Sequence, residues 1–257
     1  MKKLLLLCLM LISLISFVSC AKLDIPEGEI KEFVSKFNGE DAYMNVHYGK
    51  SYIENTHYEG DYRKGDNKVL GKHTSLAYFD KRNDMYYHYL ETNASGNYVG
   101  EGARYNFSHQ QTLCYSKSDG SNLYVEQKTD GKNDEMNYDL DDVIKSVQNF
   151  FYSEVSGGYH TGGVYYGDYI ISNISKYYKH FTLNDDKTEL TFEINISTPT
   201  EEGNEILNCH KFVVNEHGLI VSVYTIAYYI FDDVITQTLV TEMNCDYVSE
   251  FEKITKL

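Results

Sequence analysis

The sequence predicts an α+β fold, a largely antiparallel β-sheet accompanied by an N-terminal helix and two mid-chain helices. Three observations predict it. Strand-period alternation recurs in both halves of the chain, at its cleanest where Leu190, Phe192, Ile194 and Ile196 alternate with Thr191, Glu193, Asn195 and Ser197. Short polar turns separate such runs, as at Lys81-Arg82-Asn83-Asp84, Asn184-Asp185-Asp186-Lys187 and Asn215-Glu216-His217-Gly218. Between them the apolar period changes to that of a helix at Leu140, Val143, Ile144, Val147 and Phe151, and again at Ile170, Ile171, Ile174, Tyr177 and Tyr178.

The chain opens with Lys2 and Lys3, followed by an apolar run from Leu4 to Val18 broken only by Ser13 and Ser16. A positive head and a short apolar run make the first two parts of a secretory signal. As a helix the run reaches about 22 Å, too short to cross a hydrocarbon core of roughly 30 Å. Its end, Phe17-Val18-Ser19-Cys20, resembles the lipobox of bacterial lipoproteins, with Phe17 departing from the usual Leu. The resemblance implies a diacylglyceryl group on the Cys20 thiol and cleavage just before it. Ordinary cleavage, with Cys20 a chance residue, is the alternative. The domain expectation is a signal peptide over 1–19, a lipidated Cys and tether over 20–27, and one α+β domain over 28–257.

Pro26 lies in the tether. Ile30, Phe33, Val34 and Phe37 then share one helical face, which predicts a short helix over Glu29–Phe37 that needs a sheet to pack on. His73–Phe79 and Met85–Thr92 predict a hairpin, and Arg104–Ser116 with Asn122–Lys128 a second; residues 93–102 between them have the composition of an exposed loop. Asp139 is a helix N-cap, and Asp141 and Asp142 suit the positive end of the helix dipole better than a calcium site. Beyond strand 190–197, Ile206–Val214, Leu219–Phe231 and Val234–Tyr247 predict a three-stranded meander.

Composition narrows the function classes. The formal net charge is −15. Without the two leader lysines the remainder carries 21 basic and 38 acidic residues, a net charge of −17. Such a surface repels nucleic acid and anionic headgroups, so no nucleic-acid partner is expected and a membrane would be held through acyl chains. The chain has 25 Tyr, 12 Phe and no Trp. Tyr either fills strand positions that other proteins give to Val and Trp, or lines a binding surface. Outside the leader region remain Cys114, Cys209 and Cys245. In a meander Cys209 and Cys245 stand two strands apart, about 9–10 Å, too far for a disulfide, so three free thiols are expected. Asn93, Asn106, Asn173 and Asn195 fit N-x-S but would stay bare in a bacterial lipoprotein.

Catalytic spacings are missing. There is no G-x-S-x-G and no H-E-x-x-H, and the one S-x-x-K, Ser19 to Lys22, straddles the lipobox. Nine histidines are scattered without metal-ligand spacing, so neither a metal nor a cofactor is expected. The candidate site is the Gly-rich segment 156–168 with its flanking helices. Phe151, Tyr159, Tyr165, Tyr166, Ile170 and Tyr177 are the candidate ligand-binding residues. A plain connecting loop is the competing reading of that segment.

The order of elements resembles the LolA/LppX-like group of exported lipid- or lipoprotein-handling proteins, over residues 28–250. The resemblance implies a curved antiparallel half-barrel whose mid-chain helices cover one face, with a cavity between. Abundant Tyr departs from a purely apolar cavity. The expectation is an exported, non-catalytic lipoprotein, anchored through lipid on Cys20 to the outer face of the cytoplasmic membrane (or to the outer membrane or periplasm of a Gram-negative cell). It would bind a hydrophobic or amphipathic ligand. The alternatives are a surface interaction or adhesion protein whose exposed Tyr-rich strands bind a protein or glycan without a cavity, and an exported enzyme of unfamiliar type.

Overall fold

The structure, a computed structural model, describes residues 28–29, 32–33, 46–65, 67–134, 180–199 and 205–257. Eleven strands form one antiparallel sheet: β1 (Tyr48–Glu59), β2 (Val69–Asp80), β3 (Met85–Gly96), β4 (His109–Lys117), β5 (Tyr124–Thr129), β6 (Lys132–Asp134), β7 (Phe181–Leu183), β8 (Glu189–Pro199), β9 (Glu205–Asn215), β10 (Ile220–Phe231) and β11 (Val234–Asp246). Their spatial order is β6-β5-β4-β3-β2-β1-β11-β10-β9-β8-β7. Two meanders, β1–β6 and β7–β11, are therefore joined where β1 pairs with β11. The two edge strands are three residues each, short enough to offer little template for edge-to-edge pairing.

The expected α+β class is corrected by this sheet. Among the described residues helical geometry is confined to Gly28–Glu29, Glu32–Phe33, the short 3-10 turn Tyr62–Lys64 and His180. The physical reason, among the described residues, is that the chain between strands packs on the sheet as turns and irregular segments. The turn Asp61–Gly65, the β3–β4 connection and the segment after β11 all lie on it as irregular chain, as described below. The predicted mid-chain helices fall outside the described residues.

Both predicted hairpins and the final meander are present; β2, β3 and β9 run longer than expected, β3 reaching Gly96 inside the stretch expected as an exposed loop, while β4 starts at His109 rather than Arg104. The β2–β3 and β10–β11 turns place Asn83, Asp84, Asp232 and Asp233 at left-handed φ of 48–60°. Primed hairpin turns require such angles, and Asn and Asp tolerate them without glycine.

Register assigns each residue to a face. One carries Ile53, Ala77, Phe79, Val223 and Met243 together with buried His73, His88 and His210; it is called the histidine face. The other, the tyrosine face, holds two clusters. Tyr87, Tyr89 and Leu113 pack with Tyr78, Tyr115 and Tyr124, and Ile226, Tyr228 and Val240 pack with Tyr58, Tyr62 and Tyr224. On β8, Leu190 and Phe192 are buried while Glu193, Asn195 and Ser197 are exposed, as the alternation predicts.

Cys114, Cys209 and Cys245 are free thiols. Cys209 and Cys245 are separated by β10 and lie on opposite faces, since Cys209 pairs with Ile226 and Cys245 with Ser51. Burial pushes the Cys114 thiol up to about 11 and that of Cys245 up to about 12, and raises Cys209 as well. Thiolate is the reactive form. At pH 8 an aromatic disulfide reagent, with labelled sites mapped by mass spectrometry, is expected to reach half-buried Cys209 slowly and Cys114 and Cys245 only after unfolding. Rapid native labelling of Cys114 or Cys245 would contradict the packing.

Candidate functional site

The histidine face carries one feature that simple core packing does not call for. His210 of β9 pairs with Thr225 of β10, Thr225 with Thr241 of β11, Thr241 with Asn55 of β1, and Asn55 with His73 of β2. These five polar residues form one straight row across five strands. All are buried, at 1–7 % exposure. The neighbouring row on one side holds Phe212, Val223, Met243, Ile53 and Ser75; on the other stand Asn208, Ala227, Leu239, His57 and Gly71. The polar row thus runs beside a largely apolar one and a mixed one.

Hydrogen bonds fix half of the row. Thr241 Oγ1 donates to Asn55 Oδ1. That turns the Asn55 amide nitrogen toward His73, 3.2 Å from Nδ1. Nδ1 therefore accepts, and the proton resides on Nε2. Nε2–H then donates to the Tyr105 hydroxyl at 3.0 Å. At the other end, Thr225 Oγ1 is 2 % exposed as a residue and makes no hydrogen bond. A buried hydroxyl without a partner costs on the order of 1–3 kcal/mol.

Local sequence explains how Tyr105 reaches His73. The β3–β4 connection, residues 97–108, folds back over the sheet. Gly71 and Gly96 face each other across β2 and β3. A Cβ on Gly71 would stand 2.8 Å from Asn97 N and 3.1 Å from Tyr98 Cδ2, so glycine lets the connection approach. Asn97 N–H donates to Leu70 O, and Tyr105 N–H to Tyr98 O. The Tyr105 ring stacks on His73 with centroids 4.9 Å apart, and Tyr98 lies at 5.9 Å. Arg104 sits over Tyr105 at 5.5 Å.

Electrostatics keep the site neutral. Burial, helped by the nearby Arg104 charge, pulls the His73 pKa down to about 4. Burial pushes the Tyr98 phenol up to about 12, against the opposing pull of Arg104. A neutral imidazole with both nitrogens hydrogen-bonded is a poor base and cannot ligate a metal. Among the described residues no group of His, Cys, Asp or Glu is placed to hold one. What the row can do is offer hydrogen bonds to an uncharged polar group.

The predicted site residues Phe151, Tyr159, Tyr165, Tyr166, Ile170 and Tyr177, and the predicted lipidation site Cys20, lie outside the described residues. Sequence reasoning missed the polar row. His73 does alternate with the small residues Gly71 and Ser75, which marks a crowded position rather than a wet one, but its partners are remote in sequence.

Comparison with known proteins adds little. The sequence matches no family model and no curated protein. Among solved structures, the chain is similar to a β-barrel-like protein of the domain of unknown function DUF1849 from Brucella abortus, at 9 % identity, over 78 % of this chain and 98 % of that one, with a TM-score of 0.22. It is also similar to a DUF1329 family protein from Desulfovibrio piger, at 8 % identity, over 86 % and 94 %, with a TM-score of 0.25. Likenesses this loose carry no argument about this chain.

Proposed function

We propose that this protein is an exported, non-catalytic binding protein that holds a neutral amphipathic ligand against the histidine face. The observation that supports this reading is the buried polar row beside the largely apolar row of Phe212, Val223, Met243 and Ile53. A core selected only for stability would place β-branched aliphatics at Asn55, Thr225 and Thr241. A ligand with an ester, amide or hydroxyl beside an apolar stretch would match the row and give Thr225 Oγ1 a partner. The row is closed over in the structure, and the β3–β4 connection is the described part of its cover at the His73 end. Binding therefore requires that connection to shift.

Export and anchoring rest on the leader. Among the described residues no helix is long and apolar enough to cross a membrane. Retention at a membrane would then depend on acyl chains at Cys20. The alternative of an adhesive tyrosine surface finds less support. Among the described residues Tyr52 alone of the tyrosines is exposed, and the tyrosine face is largely covered by the chain itself.

The test uses monooleoylglycerol as a neutral probe and oleate as its charged counterpart. Saturable binding of the neutral probe is expected in titration calorimetry. Thr225→Val, close to isosteric, is expected to weaken it about 5–10-fold, the value of one hydrogen bond. Equal binding by Thr225→Val, or no saturable binding of the neutral probe, overturns the reading.

A further inference from the structure

The tyrosine face contains a second built site, independent of the polar row. Beyond β11 the chain turns at Asp246, whose Oδ1 accepts from Val248 and Ser249 N–H at 2.9 and 2.8 Å. Residues 249–257 then cross the tyrosine face of β1–β5. They form no strand, and their contacts repeat every third residue. Phe251 N–H donates to Tyr48 Oη at 2.7 Å, Ile254 N–H to Tyr87 Oη at 3.0 Å, and Leu257 N–H to Glu126 Oε2 at 3.1 Å. Phe251, Ile254 and Leu257 also supply the side chains that pack on Tyr87, Tyr89 and Leu113. The Phe251 ring stacks on both Tyr48 and Tyr78, with centroids 4.7 and 4.5 Å away.

Charge pairing sets direction along the same line. Glu250 meets Arg82 at 3.0 Å, and Lys253 meets Asp80 at 2.8 Å. Asp80 is buried, and burial alone would raise its pKa. Hydrogen bonds from Arg82 and Lys253 outweigh that and hold its carboxyl below the usual range.

None of this resembles strand pairing. Tyr48, Tyr87 and Glu126 side chains receive the backbone N–H groups, and Tyr48 O–H in turn donates to Ser249 O. Aromatic pockets at a three-residue repeat, with side-chain acceptors between them, are how grooves capture extended peptides. A segment held this way can leave without breaking the sheet ladder.

We infer that the tyrosine face is a peptide-binding groove, that Tyr247–Leu257 occupies it as a displaceable ligand, and that its occupant in trans is the same segment of a second copy. The groove selects three apolar side chains at every third position, each of the last two preceded by lysine. Exchange between copies needs the Asp246 turn to open and the 2.7 Å hydrogen bond from Tyr247 O–H to Ile220 O to break, with no ladder bond lost, the low-cost route of segment swapping.

The test uses the full chain and a fluorescent peptide of residues 247–257, followed by anisotropy. Phe251→Ala/Ile254→Ala in the protein weakens the resident segment, so the peptide is expected to bind at least about tenfold tighter than to the unaltered chain. A peptide carrying the same two substitutions is expected to lose that binding. No gain in the folded double variant, or equal binding of the substituted peptide, overturns the groove. Should the variant fail to fold, amide exchange of the unaltered chain decides. Phe251, Ile254 and Leu257 are expected to exchange about 100-fold faster than Tyr89 and Leu113, and equal rates overturn displaceability. For the second copy, concentrating the chain should give a dimer that free peptide dissolves. A dimer indifferent to peptide, or a monomer throughout, overturns that occupant.

Discussion

Lowering the pH from 7 to 4 is expected to unfold this protein, and most of the loss should come before the carboxylates titrate. His73, His88 and His210 are all buried on the histidine face. Burial pulls His73 and His88 down to about 4, with Arg104 assisting at His73, and lowers His210 as well. In an unfolded chain histidine titrates near 6.5. Between those values the unfolded state binds protons that the folded state refuses, so unfolding becomes easier as pH falls. By pH 4, His73 and His88 can each remove up to about 3 kcal/mol. Against a typical total of about 5–15 kcal/mol, that is decisive.

The paired carboxylates act in the same direction but later. Arg63 hydrogen bonds hold Asp61 low despite its burial. At Asp80 the bonds from Arg82 and Lys253 overcome burial. Groups lowered in this way stabilise the fold above the ordinary carboxylate range, and that support is lost only as pH falls through and below it. Urea unfolding at successive pH values separates the two. Uptake of about 2–3 protons on unfolding is expected near pH 5, falling by one in His88→Leu. Uptake below one proton would show that these histidines are not held neutral.

Such a cluster was invisible along the chain for a physical reason. Alternation assigns apolar residues inward and polar ones outward, which suffices for β8. In β1 the rule fails, because Ser51 and Asn55 point to the buried histidine face while Tyr52 on the opposite side is exposed. A lone Asn or His in a strand looks like a wet position until register sets Thr241 beside Asn55 and Asn55 beside His73. Those contacts span up to 186 residues of chain. The segment after β11 escaped notice because its period is three, neither that of a strand nor that of a helix. By contrast the free thiols were legible, since a strand between Cys209 and Cys245 follows from the meander alone. The edge strands β6 and β7 are too short for any period to show.

Gly96→Ala is expected to cost about 2–5 kcal/mol and to uncouple the β3–β4 connection from His73. Gly96 has φ of +57°, and a Cβ there would lie 2.1 Å from Leu70 O and 2.8 Å from Gly71 Cα. Both obstacles are backbone, so no rotamer change relieves them. The opposing residue is itself a glycine, where an added Cβ would in turn meet Asn97 N and Ser95 O. Relief can come only from separating β2 and β3 at this end, which withdraws the Asn97–Leu70 hydrogen bond and, with it, Tyr98 and Tyr105. Gly102→Ala is the matched control. Its φ of +78° is equally left-handed, but nothing stands within 4 Å of the added Cβ. Its cost is therefore backbone strain alone, about 1–2 kcal/mol. The two variants should also differ at the imidazole. In Gly96→Ala water reaches His73, whose pKa should rise from about 4 toward its ordinary value in a proton NMR titration, while Gly102→Ala leaves it low. If both variants were equally stable and His73 unmoved, the close approach at Gly96 would not be what seats the connection on the polar row.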